Sequence, residues 1–154
     1  VNRFTSHGAL PTVLELGDMN GDGKVDLIAG HRHSDDSVVI FYRESDFDFP
    51  VTQEVAIGKD RKKVEYGIQD LLVADFNGDH KLDIGLVCEV SSQVLVLMNT
   101  HPPDAAIASF QRETYTFKNG TPHALCAADF NGDGKVDIGV ALWDDFRVAF
   151  LLNR

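Results

Sequence analysis

The sequence of 154 residues lacks the patterns that define several protein classes. It has two cysteines, Cys88 and Cys126, which are too few for a disulfide framework and sit in apolar runs, where we expect buried free thiols. No apolar run approaches the length of a membrane span. Basic residues number 14 against 24 acidic ones, and the net charge of −10 argues against a nucleic-acid binder. Long stretches with apolar residues at helical spacing are also missing.

Motifs of enzyme active sites are missing as well. The sequence contains no nucleophile motif, no glycine-rich phosphate loop and no Cys/His zinc spacing. A hydrolase with paired carboxylates stays open, because any two aspartates can meet in a fold. The first residues, "VNRFTSHGAL", show neither an initiating Met nor a signal-peptide pattern, so we expect a mature chain, a fragment or an expression product.

One acidic phrase is present three times. It reads "GDMNGDGKVDLIAG" from Gly17, "ADFNGDHKLDIGLV" from Ala74 and "ADFNGDGKVDIGVAL" from Ala128. Each copy follows a short apolar stretch and continues into an apolar run, a polar turn and a second apolar run. A less regular segment comes next, "FPVTQEVAI" in the first copy and "FQRETYTF" in the second. Repeats at such a period indicate a repeat architecture.

The runs between the turns are short and rich in Val, Ile, Leu and Phe, which is typical of β-strands. Each copy therefore predicts four strands, and runs that are apolar at nearly every residue predict strands covered on both faces. Four-stranded sheets stacked face to face are the blades of a β-propeller, an all-β fold. We expect residues 1–10 to be an outer strand that closes a blade, 11–58 blade 1, 59–67 a linker loop, 68–118 blade 2, and 119–154 blade 3 without its outer strand.

The repeated phrase places oxygen-bearing side chains at alternate positions of a tight loop. With the first Asp as position one, they fall at positions one, three, five and nine, and position seven can add a backbone carbonyl. Calcium is bound in proteins by about six to eight such oxygens. The candidate metal ligands are Asp18, Asn20, Asp22, Lys24 and Asp26 in the first copy, Asp75, Asn77, Asp79, Lys81 and Asp83 in the second, and Asp129, Asn131, Asp133, Lys135 and Asp137 in the third.

Position six is Gly23 in the first copy and Gly134 in the third, and glycine permits the positive φ that turns the loop back. The middle copy has His80 there, which predicts a weaker or distorted site. An EF-hand would need Glu at position twelve and a following helix, but the copies have Ala29, Leu86 or Val140 and strand-like flanks. Polar turns without metal are the alternative, because Asp, Asn and Gly favour turns. Three copies with identical spacing favour the metal.

In these phrases the chain resembles the FG-GAP/VCBS repeat family, whose best-known members are the blades of the integrin α-subunit propeller. The resemblance implies that "DxNxDGxxD" between two strands is a calcium loop, and therefore three calcium sites per chain formed by the ligands named above. The sequence departs from the family in lacking the Phe-Gly and Gly-Ala-Pro signatures and in having His80 in the middle loop.

Other candidate residues lie outside the repeated phrase. Trp143, Asp144 and Asp145 follow a strand and could contact a sugar, although Trp143 could equally pack between blades. His31 and His33 could touch a transition metal, but exposed turn residues are the stronger expectation. The basic run "KDRKK" at Lys59 could bind an anionic partner or form a solvated loop.

Two function classes remain. The first is a calcium-stabilised, extracellular or periplasmic module that binds or scaffolds a protein or glycan ligand. The second is an enzyme, a lyase or hydrolase, that acts on polysaccharide from the same scaffold. We favour the first, because no catalytic constellation is left once the calcium ligands are assigned. Three blades are too few to close a ring, which typically needs about four to eight. We therefore expect a homodimer that forms a six-bladed ring, in which "VNRFTSHG" of one chain pairs with "RVAFLLNR" of the other.

Overall fold

The computed structural model describes residues 5, 10–32, 37–57, 66–102 and 105–153 of the chain. These residues form eleven β-strands and no helix, so no described helix could cross a membrane. The strands coincide with the short runs of β-branched and aromatic residues, and the Asp, Asn and Gly clusters lie between them. The strands are β1 Pro11–Gly17, β2 Asp26–His31, β3 Ser37–Tyr42, β4 Val51–Ala56, β5 Ile68–Ala74, β6 Asp83–Cys88, β7 Gln93–Asn99, β8 Phe110–Thr116, β9 Pro122–Ala128, β10 Asp137–Leu142 and β11 Arg147–Leu151.

The strands form three antiparallel sheets whose strands follow chain order. Sheet 1 is β1-β2-β3-β4, sheet 2 is β5-β6-β7-β8, and sheet 3 contains β9, β10 and β11. The irregular segments after the first two copies are the fourth strands β4 and β8, as the sequence predicts. The all-β prediction is confirmed, and sheets of this size and order fit the blades of a β-propeller.

The sheets pack on one another through two apolar cores. Ile28 and Ile40 of sheet 1 pack with Leu71 and Leu95 of sheet 2, and all four are buried. A second core joins sheets 2 and 3 and includes Val140. Full burial of such a side chain stabilises a fold by about 1.5–3 kcal/mol. Strands β3 and β6 are buried at every residue, as their continuous apolar runs predict.

Two expectations from the sequence are wrong. His31 is not an exposed turn residue: it ends β2 and is fully buried, because β2 lies in the interior of sheet 1. Cys88 is buried as expected, but Cys126 is a free thiol that is exposed. Among the described residues no fourth sheet covers the outer side of sheet 3, so an apolar strand there does not bury its cysteine. His33, the "KDRKK" run and nearly all of "VNRFTSHG" lie outside the described residues.

Candidate metal centres

Each acidic phrase forms a tight loop between the first two strands of its sheet, and we name them loop 1 (residues 18–26), loop 2 (75–83) and loop 3 (129–137). The carboxylate at position one organises each loop by accepting backbone N–H groups. Asp18 accepts N–H bonds from Gly21 at 2.7 Å, Asp22 at 3.1 Å and Gly23 at 2.8 Å. The same three bonds, at 2.7–3.2 Å, recur around Asp75 and Asp129.

Position six adopts the left-handed backbone conformation in all three loops. The φ angle is 82° at Gly23, 66° at His80 and 84° at Gly134. The prediction that this position needs a positive φ is therefore confirmed, including at the histidine. His80 keeps the loop closed, since its N–H bonds to Asp75 at 2.8 Å, but a non-glycine residue in this conformation is strained.

Positions three and five continue the pattern along the loop. Asn20 accepts the N–H of Asp22 at 3.2 Å, and Asp22 accepts the N–H of Lys24 at 2.9 Å. The equivalent bonds are present at Asn77 and Asp79 and at Asn131 and Asp133. The Lys24 ammonium also lies 3.4 Å from Asp22, but such an exposed pair contributes at most about 1 kcal/mol.

Position nine differs from the others because it is buried. Asp26 is fully buried and accepts N–H bonds from Met19 and from Arg43, both at 2.9 Å. It therefore ties the loop to the residue that follows β3. Asp83 and Asp137 are also fully buried and make the same two kinds of bond. The sequence does not indicate that position nine connects its loop to the end of the third strand.

In loops 1 and 2 the Asp at position nine is buried and lies close to the other carboxylates of its loop, and both raise its pKa. Burial raises the pKa of Asp26, and the charges of Asp22 and Asp18 raise it further, against the lowering effect of its two N–H donors. The pKa of Asp83 is raised in the same way, by burial and then by neighbouring loop carboxylates. A set of carboxylates that repel one another, together with a neutral amide oxygen, fits a hard cation.

The metal assignment itself stays a prediction. Within the described residues, no group of three or more His, Cys, Asp or Glu side chains is arranged to hold a metal ion. The oxygens of the loops are instead turned toward backbone N–H groups. In loop 3 the pKa of Asp129 is lowered, first by the N–H of Gly134, which favours the ionised form that a cation requires.

The predicted ligand-contact residues lie together at the turn between β10 and β11. Trp143 is 69% exposed, and its ring lies 4.8 Å from that of His123 at a tilt of 46°. Asp144 accepts bonds from the N–H and the hydroxyl of Thr121, which lower its pKa. Asp145 forms an exposed ion pair with Arg147 at 3.3 Å. Asp144 therefore holds the turn in place, and the Trp143 ring is left exposed beside it.

Sequence reasoning missed two asparagines that lie against the loops. Asn99 is the last residue of β7 in "LVLMNT", and Asn153 lies just after β11 in "AFLLNR". Each donates a side-chain bond to the loop of the preceding sheet, to Met19 and to Phe76 respectively. The signal was present in the sequence, since both residues stand at the same position of the repeat.

Comparison with known proteins supports the repeat assignment over part of the chain. Residues 18–86 match the model of the FG-GAP-like repeat family, and this range includes loops 1 and 2. No curated protein matches the chain significantly. Loop 3 lies beyond the matched range but repeats the hydrogen bonds of the other two loops.

Proposed function

We propose, on the premise that residues 18–86 are an FG-GAP-like repeat region, that this chain is a calcium-stabilised module of the β-propeller type that binds a protein or glycan ligand. The observation that carries this proposal is the threefold recurrence of one loop geometry, with the same N–H bonds to the same carboxylates. Turns that only reverse a chain do not need three further oxygen positions that recur in every copy of the loop.

The ligands in each loop are the side-chain oxygens of positions one, three, five and nine and the carbonyl oxygen of position seven. Bound calcium would supply positive charge among carboxylates that repel one another, and would join the exposed turn to the buried Asp at position nine. Because that Asp also bonds to a residue at the end of the third strand, an ion in the loop would connect the turn to its sheet.

Thermal unfolding with and without chelator tests this proposal. Extracellular modules bind calcium with Kd of about 10⁻⁴–10⁻³ M, and a ligand at a hundred times its Kd adds about 2.7 kcal/mol per site. Chelation should therefore lower the Tm by many degrees, and Asp129→Ala should reproduce part of the loss. Asp46→Ala is the control, because Asp46 is an exposed carboxylate outside the loops. An unchanged Tm in excess chelator would count against the proposal.

The location follows from the same affinity range. Free calcium in a cytosol lies far below such a Kd, so the sites would be empty there. The proposed location is therefore extracellular or periplasmic. Reporter fusions to the full precursor test it, and a fusion that stays in the cytosol contradicts it.

The exposed turn at Trp143 is the proposed contact with a glycan. A sugar ring can stack on the open face of the indole. Phe146, in the same turn, is 96% exposed with a φ of 51°, a strained conformation for an aromatic residue and one that is often found at binding sites. Retention on a glycan array should be lost in Trp143→Ala and kept in Phe47→Ala, an exposed aromatic of another turn. Release of reducing ends or unsaturated sugars would favour the enzyme instead.

The two ends of the stack of sheets point to a second copy of the chain as the partner. Leu14 and Leu16 of β1 are 60% and 62% exposed. The residues at the same repeat positions in sheet 2 are Leu71 and Val73, which pack toward sheet 1. The outer side of sheet 1 therefore has the apolar surface that a preceding sheet would cover.

The outer side of sheet 3 has the complementary surface. Val148 and Phe150 of β11 are 62% and 53% exposed. Their equivalents in β7, Val94 and Val96, are buried against sheet 3. Sheet 3 of one chain can therefore cover sheet 1 of another as sheet 2 covers sheet 1 within the chain. Two chains related by a twofold axis would satisfy both ends in a six-bladed ring.

Sedimentation in calcium tests the assembly. A dimer is expected, and Leu16→Asp should shift it to monomer because it places a charge on the covered face. The control variant Asp46→Ala should remain a dimer. A stable, monodisperse monomer of 17.0 kDa for the parent chain would refute the dimer and would leave further blades of a longer chain as the cover.

A further inference from the structure

The asparagine that ends β7 and the asparagine just after β11 connect the loops of neighbouring sheets. Asn99 is fully buried, and its side-chain amide donates to the carbonyl of Met19 in loop 1 at 2.9 Å. Its own N–H donates to Asp83 of loop 2 at 2.7 Å. One residue thus bonds to the position-nine carboxylate of its own loop and to the second residue of the preceding loop.

Asn153 repeats the connection one sheet further along. Its side chain donates to the carbonyl of Phe76 in loop 2, and its N–H donates to Asp137 of loop 3 at 2.8 Å. The N–H of Phe76 in turn bonds to Asp83 at 2.9 Å. The position-nine carboxylates of all three loops therefore lie on one continuous path of hydrogen bonds that crosses both junctions between sheets.

We propose that Asn99 and Asn153 are positioning residues that couple the three loops, so that occupancy of one loop by calcium raises the affinity of its neighbours. This inference rests on the proposed calcium loops. An ion that fixes the position-nine carboxylate also fixes the second residue of its loop and the asparagine bonded to it. The neighbouring loop is then already partly ordered, so it loses less conformational entropy when it binds its own ion.

Sheet 1 supplies a natural control, because Arg43 occupies the same repeat position there. Its N–H bonds to Asp26 as the asparagines bond to Asp83 and Asp137. Its side chain, however, turns back to the carbonyl of Ser45 and to Asp46 within its own sheet. Truncation of Arg43 therefore removes a side chain from this position without removing a connection between loops among the described residues.

Calcium titration calorimetry on a cycle of variants tests the coupling, with the metal alone as the probe. Asp79→Ala disables loop 2 and should leave two ions bound. With both asparagines present, these two ions should bind at least about five-fold more weakly than in the parent chain, at the lower limit of typical coupling between sites. In a background of Asn99→Ala and Asn153→Ala, disabling loop 2 should change their affinity less than two-fold. In an Arg43→Ala background, which keeps both asparagines, disabling loop 2 should again weaken the binding of the other two ions by at least about five-fold.

The outcomes distinguish failure of the coupling between loops from failure of calcium binding itself. If Asp79→Ala leaves the affinity of the other two sites unchanged in the presence of both asparagines, the coupling is refuted while the calcium sites stand. If the parent chain binds no calcium, both are refuted. Should Asn99→Ala fail to fold, Asn153→Ala alone at a half-buried position must still uncouple loops 2 and 3.

Discussion

The junction between sheets 1 and 2 and the junction between sheets 2 and 3 use the same repeat positions for their asparagine connection but differ in their cover. At the first junction, residues 105–109 lie over the contact between sheets 1 and 2. The N–H of Ala108 donates to the Tyr42 hydroxyl at 2.7 Å, and Gln53 donates to the carbonyl of Ala108 at 2.8 Å. Asn20 of loop 1 donates to the carbonyl of Ala106.

At the second junction the equivalents of Tyr42 and Gln53 are Met98 and Glu113, and they line a cleft of about 1050 Å³. Ile138 and Leu151 of sheet 3, which pack toward sheet 2, also line this cleft. The comparison teaches that the loops and the apolar stack are common to the repeats, whereas the cover of the first junction comes from the segment that follows β7, the third strand of sheet 2.

Truncation of the equivalent leucine at each junction should give the largest effect. Leu71 is 1% exposed and packs on sheet 1, and its equivalent Leu125 is only half-buried against sheet 2. Leu71→Ala should lower the free energy of unfolding by about 2–5 kcal/mol, the usual cost of such a cavity. Leu125→Ala should cost clearly less. Equal losses in denaturant titrations would mean that the second junction is covered as well as the first.

Alkaline pH should weaken the first junction through Tyr42. Burial raises the pKa of Tyr42 to about 12. Because this value lies above the unfolded one, the stabilisation is complete below about pH 10 and is lost as the pH rises toward 12. The parent chain should lose at most roughly 3 kcal/mol of unfolding free energy relative to Tyr42→Phe over this range, since one pKa unit corresponds to about 1.4 kcal/mol. Parallel pH profiles of the two proteins would show that Tyr42 is not buried in this way.

Removal of the Tyr42 hydroxyl at neutral pH should give a smaller loss. Tyr42→Phe leaves the buried N–H of Ala108 without its acceptor, which costs about 1–3 kcal/mol. Met98→Leu at the equivalent position of the open junction is a volume-conserving change and should cost less than about 1.5 kcal/mol. Thermal unfolding of the two variants measures the difference. A larger loss for Met98→Leu would reverse the comparison between the junctions.

The smallest expected effect concerns the loops. His80→Gly should stabilise the calcium-free chain by about 1 kcal/mol. The substitution removes the strain of a left-handed backbone conformation at a non-glycine residue, and the side chain that is lost is exposed. Gly134→His should destabilise by a similar amount, since loop 3 has the same geometry. Chemical denaturation in chelator checks both variants. No change in either would show that position six carries no strain.

The sequence predicts the parts of this structure that local chemistry determines. Apolar runs between turn residues predict the strands, and the phrase predicts a left-handed position six even at His80. The buried His31 was not predictable, because a residue beside a polar turn gives no sign that its strand lies inside a sheet. Tyr42 and Ala108 meet across 66 residues of sequence, and such a pairing depends on how sheets stack rather than on any local pattern.

Calcium stoichiometry tests the central claim most directly. Native mass spectrometry or titration calorimetry should find three calcium ions per chain of 17.0 kDa, and each of Asp18→Ala, Asp75→Ala and Asp129→Ala should remove one. A chain that binds no calcium at millimolar concentration would contradict the account and would leave the three loops as turns held by backbone N–H bonds alone.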